Sequence, residues 1–281
     1  MMERQAMGKW IAGFGLFLLI CCCTAARAAA PASEAPSQPP SQATASAADQ
    51  ILSSASGVEQ ILDALHKRGQ GLKDFVADVT MAEVDALGGD TVKLFGRVWF
   101  QDRGDASARI RVSFDRRETG KKVDTKAKVD YLLDNGMLIE RDHRQKLEIQ
   151  RTGIIRPGQK VNLLKLGEGP FPLPVGQPRE EVIKLFEVNK VDPKADDPAN
   201  AVHIQLVPRK GTTFERKFHR IDVWVDARGH FPSRIETEDR NQTEIRITDL
   251  ANLRINEGIG DQAFALEKVE GFTVKQDQMP D

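Results

Sequence analysis

The chain has 281 residues, with 40 Lys and Arg against 41 Asp and Glu, which gives a formal net charge of -1. This length fits one large domain or two small ones. A nucleic-acid binder is usually basic overall or on one face, so the near-neutral charge predicts no nucleic-acid partner.

The first residues have the pattern of an export signal. Arg4 and Lys9 precede an apolar run over residues 10–23, which is too short to span a membrane comfortably as a helix. Residues 26–28, Ala-Arg-Ala, form a small-residue cleavage site. We therefore predict that residues 1–28 are a cleaved signal peptide; an uncleaved membrane anchor is the alternative.

All three cysteines, Cys21, Cys22 and Cys23, lie in this apolar run. A lipid-attachment site needs a small residue before the acceptor cysteine, and Ile20 fits this poorly, so a lipid-anchored form is the less favoured alternative. Cleavage near Ala28 leaves no cysteine, so the mature chain has no disulfide and depends on its core for stability.

Residues 29–57 are mostly Ala, Ser, Pro and Gln, a composition that cannot bury enough apolar surface to order itself. We predict a flexible linker there, followed by one domain over residues 58–281. The domain begins with an amphipathic helix over residues 58–72, for which Ser56 and Glu59 are the expected capping pair. Its apolar residues recur at i, i+3, i+4 and i+7, as Val58, Ile61, Leu62 and Leu65.

Alternation of apolar and polar residues predicts a series of strands that each bury one face. Residues 221–225 and 245–247 are examples, and residues 134–136 (Asp-Asn-Gly) and 226–229 (Asp-Ala-Arg-Gly) are typical of tight turns between antiparallel strands. The predicted fold class is mainly β (α+β). It is an antiparallel sheet with one apolar face that another part of the chain must cover.

Residues 155–187 differ in character from the strands around them. Prolines and glycines are frequent in 156–176, which makes a continuous strand difficult, and Pro178 suits the first turn of a helix that reaches Phe186. Loops of this length are either functional or long connectors. Two interpretations therefore stay open: a mobile cover on the sheet, or a connector whose apolar residues complete the core.

Several arginines occupy strand positions opposite the apolar ones. The simplest interpretation is a solvated outer face on which they form cross-strand ion pairs with residues such as Asp222, Glu236 and Glu244. The alternative is a basic patch for an acidic partner or for phospholipid headgroups. The arginines concerned are Arg97, Arg109, Arg111, Arg220, Arg234 and Arg246.

The sequence contains no motif that indicates catalysis, such as G-x-S-x-G, H-E-x-x-H, a phosphate-binding loop or a dinucleotide fingerprint. The histidines are scattered, and His203 and His219 are the pair whose predicted strands would let them meet. We therefore predict a protein that is not an enzyme and that uses no cofactor and no metal.

The order of these features resembles the periplasmic outer-membrane lipoprotein carrier family, LolA, as a divergent member. The resemblance covers roughly residues 58–266. It is carried by the signal peptide, the N-terminal helix, Gly96-Arg97-Val98-Trp99, the Asp134-Asn135-Gly136 turn, the segment from His203 to Arg209, the strand from Ile221 to Val225 and the turn after it.

The resemblance implies an unclosed antiparallel β-barrel, or half-barrel, with the N-terminal helix and short lid helices over its apolar concave face. It implies a periplasmic carrier that shields the acyl chains of lipoproteins or other lipids during transfer toward the outer membrane. An inner-membrane release complex and an outer-membrane acceptor would be its partners, and we expect a monomer. Family members control opening with an arginine just after the tryptophan strand, and Arg103 is the gating candidate here.

The inward strand residues would then line the lipid cavity, although plain core packing explains each of them equally well. The cavity candidates are Phe75, Val79, Leu94, Val98, Phe100, Ile110, Val112, Phe114, Ile221, Val223, Ile235, Ile245 and Ile247. The lid candidates are Leu163, Leu164, Phe171, Leu173, Val182, Ile183 and Phe186.

A second class of function fits the same fold. A non-catalytic sensor or scaffold of the cell envelope would bind a protein partner through the charged face of the sheet. The two classes differ in the interior, because a carrier needs more apolar surface than its own side chains cover, whereas a scaffold has a closed core.

Overall fold

The computed structural model describes residues 51–104, 108–153, 163–164 and 174–278. The predicted signal peptide and the first part of the predicted linker lie outside these residues, as does most of the segment between 154 and 173.

Two α-helices and thirteen strands make up the described chain. The helices are α1 (Val58–Gln70) and α2 (Arg179–Leu185). The strands are β1 (Asp74–Asp85), β2 (Thr91–Gln101), β3 (Arg109–Thr119), β4 (Lys122–Asp124), β5 (Val129–Asp134), β6 (Met137–Asp142), β7 (Leu147–Thr152), β8 (Phe186–Val191), β9 (Ala201–Pro208), β10 (Phe218–Asp226), β11 (Pro232–Asp239), β12 (Glu244–Ile255) and β13 (Thr273–Gln278). A short 3-10 helix spans Asp261–Phe264.

All strands belong to one sheet that does not close on itself. Its order is β13-β7-β6-β5-β3-β2-β1-β12-β11-β10-β9-β8, with β4 beside β3. Every pair is antiparallel except β13 with β7, which is parallel. The predicted fold class, a mainly β protein built on an unclosed antiparallel sheet, is confirmed.

Strand pairing assigns each residue to one of two faces, because directly opposed residues point the same way. The inner face carries Phe75, Val79 and Met81 of β1, which are buried, and the residues paired with them. The outer face carries the alternate residues of β1, such as Val76 and Asp78. This division determines which side chains form the core and which form the candidate site.

Helix α1 buries one apolar side and contacts β8 and α2. Its N-cap is Gly57, whose backbone N–H donates to the Gln60 side chain at 3.0 Å, so the predicted cap by Ser56 and Glu59 is wrong. The Ser56 hydroxyl instead accepts from the backbone N–H of Ser53 at 3.0 Å. The helix is therefore held by its buried apolar residues, Ile61, Leu62, Ala64 and Leu65, more than by a side-chain cap.

The residues before α1 pack against the sheet. Leu52 is only 4% exposed, and its backbone N–H donates to the carbonyl oxygen of Ala227 at 2.9 Å. The predicted linker over residues 29–57 is therefore wrong at its C-terminal end, where residues 51–57 belong to the folded part. A single buried leucine in a polar stretch gave too little periodic signal to predict this.

After β12 the chain crosses the outer face as a segment, residues 259–272, that we call the strap. Arg111 Nη1 donates to two strap carbonyl oxygens, those of Ala263 and Ala265, each at 3.0 Å. Arg141 Nη1 donates to a third strap carbonyl oxygen at 2.7 Å. The strap leads directly into β13, which joins the edge of the sheet beside β7.

One phenylalanine anchors the strap in the sheet. Phe264 is 4% exposed, and the guanidinium of Arg109 lies 4.0 Å from the centre of its ring. Arg109 also forms an ion pair with Asp261 of the strap and donates from Nε to the Gln101 side chain at 3.0 Å. The strap thus shields apolar and charged groups of the outer face at the same point.

Other arginines of the outer face are paired within the chain. Arg97 Nε lies 3.1 Å from Asp78 Oδ1, and Arg234 Nε lies 2.6 Å from Asp249 Oδ1. The predicted ion-paired outer face is confirmed at these positions. Arg246 was predicted there as well, but this is wrong, because its pairing places it on the inner face.

The substitution Phe264→Ala should lower the free energy of unfolding by about 3 kcal/mol, because it removes the buried ring that anchors the strap. Urea denaturation measures the change. Val274→Ala in β13, where the side chain is 53% exposed, is the matched control and should change stability by less than about 0.5 kcal/mol. Equal effects of the two substitutions would contradict an anchoring role for Phe264.

Candidate functional site

One end of the inner face is filled by the protein's own side chains. Phe75, Phe100, Ile110 and Leu133 form a row across β1, β2, β3 and β5, and all four are buried. The rings of Phe75 and Phe100 stack with their centroids 5.4 Å apart, and the Phe231 ring meets Phe75 edge-on at 5.2 Å. This end of the face is therefore core.

Most of the cavity candidates lie on the inner face. Leu94 points inward, opposite Met81, and is half-buried. The other inward candidates are buried, which fits core packing as well as cavity lining, so their role as cavity residues stays a prediction. They are Phe75, Val79, Val98, Phe100, Ile110, Val112, Phe114, Ile221, Val223 and Ile235.

The predicted inward position of Ile245 and Ile247 is wrong. Pairing of β12 with β1 places Thr248 opposite Met81 and Ile247 opposite Ala82, so both isoleucines lie on the outer face. Thr248 is buried, whereas the isoleucines are half-buried. The error is one of register, because the isoleucines alternate with residues of the other face and only the partner strand decides which set points inward.

A glycine lies in the middle of the inner face. Gly96 is opposite Val79 of β1 and Phe114 of β3, next to an irregularity in the pairing of β2 with β3. A Cβ at this position would overlap the carbonyl oxygen of Ser113, so glycine allows the two strands to approach closely. Because glycine has no side chain, no protein atom extends from Gly96 over the inner face.

Gly96 and two leucines near it on the inner face are half-buried, although Val79 and Phe114, which lie directly opposite Gly96, are buried. Leu94 is half-buried, and so is Leu250, which lies opposite Val79. We call Leu94, Gly96 and Leu250 the open patch. It is half-buried apolar surface among the described residues.

A network of charges lies beside the open patch. Arg246 is directly opposite Glu83, two residues beyond Met81 on the inner face. Its Nη2 is 3.2 Å from Glu83 Oε1 and 2.8 Å from Glu244 Oε1. Burial raises the pKa of Glu83, and the positive charge of Arg246 opposes that shift.

A second charged pair lies on the inner face of β6 and β7. Glu140 is opposite Tyr131, and its Oε2 accepts from Arg151 Nη1 at 3.1 Å; both charged side chains are buried. Burial raises the pKa of Glu140. Burial also raises the pKa of the Tyr131 hydroxyl, and the charges of Glu140 and Glu83 add to this shift.

The Tyr131 hydroxyl is thus within electrostatic range of both charged pairs, which belong to distant strands of the sheet. We call these residues the polar rim, comprising Glu83, Arg246, Tyr131, Glu140 and Arg151. Sequence analysis did not identify them. The one available signal was that Glu83 continues the inward alternation of Val79 and Met81; the others become neighbours only through strand pairing.

The lid candidates are partly described. Leu163 and Leu164 are buried, whereas Phe171 and Leu173 lie outside the described residues. Opening of the segment 155–187 therefore stays a prediction.

Helix α2 confirms the helix predicted after Pro178. Its Val182 is buried, whereas Ile183 is 37% exposed, and a lid role for both stays a prediction. Phe186 is the first residue of β8 and is buried against Phe214, with ring centroids 4.8 Å apart. It belongs to the sheet and not to a cover.

Arg103, the gating candidate, lies just after β2 and joins two loops. Its Nη2 donates to Asp134 Oδ1 at 2.5 Å and to the Asn135 side chain at 3.1 Å, at the turn between β5 and β6. This contact ties the end of β2 to the β5–β6 hairpin. A role in opening stays a prediction.

The two histidines whose strands would let them meet do not share a site. His203 Nε2 donates to Asp222 Oδ1 at 2.8 Å and its ring stacks on Trp224, while His219 is exposed five residues before Trp224 on β10. Within the described ranges, no group of His, Cys, Asp and Glu side chains is arranged to hold a metal ion. Neither described helix combines the length and apolar character that a membrane crossing requires.

Fold and site together define an open antiparallel sheet whose inner face is apolar and partly uncovered. Similar solved structures include an outer membrane lipoprotein-sorting protein domain from Vibrio parahaemolyticus, at 13% identity and a TM-score of 0.35, covering 73% of this chain and 94% of that chain. A LolA superfamily protein from Nitrosomonas europaea has 11% identity and a TM-score of 0.33, covering 75% of this chain and 99% of that chain. The similar structures therefore include the family that the sequence resembles.

The MucA/MucB complex of Pseudomonas aeruginosa is also similar, at 10% identity and a TM-score of 0.40, covering 74% of this chain and 60% of that chain. No protein-family model and no curated protein matches the sequence. Identities and TM-scores this low say nothing about what this chain binds.

The substitution Gly96→Ala should destabilise the protein by about 2 kcal/mol, because the new Cβ would meet backbone atoms of β3 that cannot move independently. Thermal or urea unfolding measures this. Gly71→Ala is the control, since nothing lies within 4 Å of its added Cβ and its φ of -111 suits any residue. A neutral Gly96→Ala would show that β2 and β3 are not held in close contact.

Proposed function

We propose that this protein is a non-catalytic periplasmic carrier that shields the acyl chains of lipoproteins or other lipids during transfer toward the outer membrane. The observation that carries the proposal is the open patch, where Leu94, Gly96 and Leu250 leave apolar surface half-covered on the inner face of the sheet. Other inner-face residues of β1 and β2, such as Val79, Met81 and Val98, are buried.

The open patch suits hydrocarbon because binding removes apolar surface from water on both sides. Each methylene that leaves water contributes about 0.8 kcal/mol, so an acyl chain needs only part of its length covered to bind. Without a ligand, the patch is an exposed apolar surface that a protein in solution is expected to limit. Of the segment 155–187, the part that precedes β8 is the proposed cover.

The proposed location and partners follow from the beginning of the sequence and from the family resemblance. Residues 1–28 are proposed to be a signal peptide that directs export, with residues 29–50 as a linker before the folded part. An inner-membrane release complex would supply the acylated cargo, and an outer-membrane acceptor would receive it. The carrier is proposed to act as a monomer.

The alternative, an envelope scaffold that binds a protein through its charged face, has less support. Arg109, Arg111 and Arg141 of that face are occupied by the strap, and Arg97 and Arg234 are paired with carboxylates of the sheet. An acidic partner would have to displace these internal contacts. Binding of an acyl chain at the open patch displaces no such internal contact.

Substitution of Leu94 by Asp should weaken binding of a neutral fluorescent probe that carries an amide-linked acyl chain by at least about tenfold, or 1.4 kcal/mol. A charge in the open patch must be desolvated when hydrocarbon covers it. Fluorescence titration of the purified protein measures binding, and the unchanged protein should show saturable uptake.

Leu87→Asp is the matched control, because Leu87 is 82% exposed in the turn between β1 and β2 and should leave probe binding unchanged. Thermal unfolding of both variants verifies that they are folded. If the folded, unchanged protein takes up no acyl probe, the carrier function is wrong. Salt-sensitive capture of a periplasmic protein would then favour the scaffold.

A further inference from the structure

We propose that the polar rim selects ligands whose group next to the acyl chain is uncharged, such as an ester, an amide or a hydroxyl, over ligands that end in a carboxylate. This inference rests on the proposed function, because it assigns the headgroup chemistry of the same inner face. Glu83 and Arg246 carry the selection, and Glu140 and Arg151 lie on the same inner face, several strands away.

The rim meets the open patch at a defined place. On β2, Leu94 lies opposite Met81, and Val92 lies opposite Glu83. The apolar surface therefore passes into the charged pair within two strand residues, or about 7 Å. A hydrocarbon chain on the patch has its deep end toward the filled core and its polar end beside Glu83 and Arg246.

The arginines of the rim are already neutralised. Arg246 contacts two carboxylates, those of Glu83 and Glu244, and Arg151 is bonded to Glu140 within the protein. An incoming carboxylate would find no unpaired cation among these groups, and it would lie close to glutamates. Repulsion is weakly screened here because the side chains are largely buried.

Arg117 is the residue that tests this argument most directly. It lies opposite Leu94, and its Nε is buried without a hydrogen-bond partner. Its charge acts on the Glu83 carboxylate and lowers the pKa of that group, against the larger effect of burial. A carbonyl or hydroxyl oxygen on a ligand would give this N–H an acceptor without adding a negative charge near Glu83.

The experiment compares three ligands of equal alkyl length, a fatty acid, its glycerol monoester and the alkylamine, by displacement of the neutral acyl probe. Concentrations stay below those at which the ligands form micelles, and the pH keeps the acid ionised. We expect the monoester to bind at least about tenfold more tightly than the fatty acid, a difference of 1.4 kcal/mol.

Glu83→Gln should reduce this ratio by strengthening fatty-acid binding while leaving monoester binding nearly unchanged. If the role of Glu83 is purely structural, Glu83→Gln should weaken the binding of both ligands equally. Glu187→Gln is the control, because Glu187 is exposed on β8, and Glu244→Gln serves as the second variant if Glu83→Gln does not fold.

The possible results separate the two proposals. If no ligand displaces the probe and the probe itself does not bind, the carrier function fails and this inference fails with it. If the fatty acid binds as tightly as the monoester, only the selection is overturned. Loss of that fatty-acid binding in Arg117→Gln would then make Arg117 an anion site. Equal changes in Glu83→Gln and Glu187→Gln would also overturn the selection.

Discussion

The register of β1 between β2 and β12 is the constraint on which both the core and the site depend. It places Met81 opposite Thr248 and Glu83 opposite Arg246, so that one apolar set and one ion pair share the inner face. A slip of one residue in β12 would send Arg246 to the outer face and leave the half-buried Glu83 without its nearest cation. Because an uncompensated charge in such a place costs several kcal/mol, the ion pair helps to exclude that alternative pairing.

On the outer face, as at Glu83 and Arg246, arginines are paired with groups of the same chain. The strap provides backbone carbonyls for Arg111 and Arg141 and a ring for Arg109 to cover. It also supplies β13, so the edge of β7 is paired and not open to other chains. The two faces thus differ: arginines of the outer face have partners within the chain, whereas the inner face has half-buried apolar residues among those that the structure describes.

The fold class followed from the sequence because period-two alternation and turn residues are local signals. The inward set was predictable where apolar residues alternate with charged ones on a strand whose partners do the same, as at Val98 and Val112. The prediction of inward residues failed at Ile245 and Ile247, because β12 is amphipathic in either register. Only its pairing with β1 determines which of its residues point inward. The polar rim was unpredictable for a related reason, since Glu140 and Glu83 are far apart in sequence and only strand pairing places both on the inner face with Tyr131.

Charged residues beside an apolar patch also explain how that patch stays accessible. If the inner face carried only apolar groups, the empty protein would lower its free energy by collapsing onto them and closing the space. Collapse over the rim would bury Glu83 and Arg246 further from water, and desolvation of an ion pair opposes this. The rim therefore acts as a spacer in the unliganded protein. In the proposed carrier, the same charges would lie where the head of a bound amphiphile passes, which would couple access to selection.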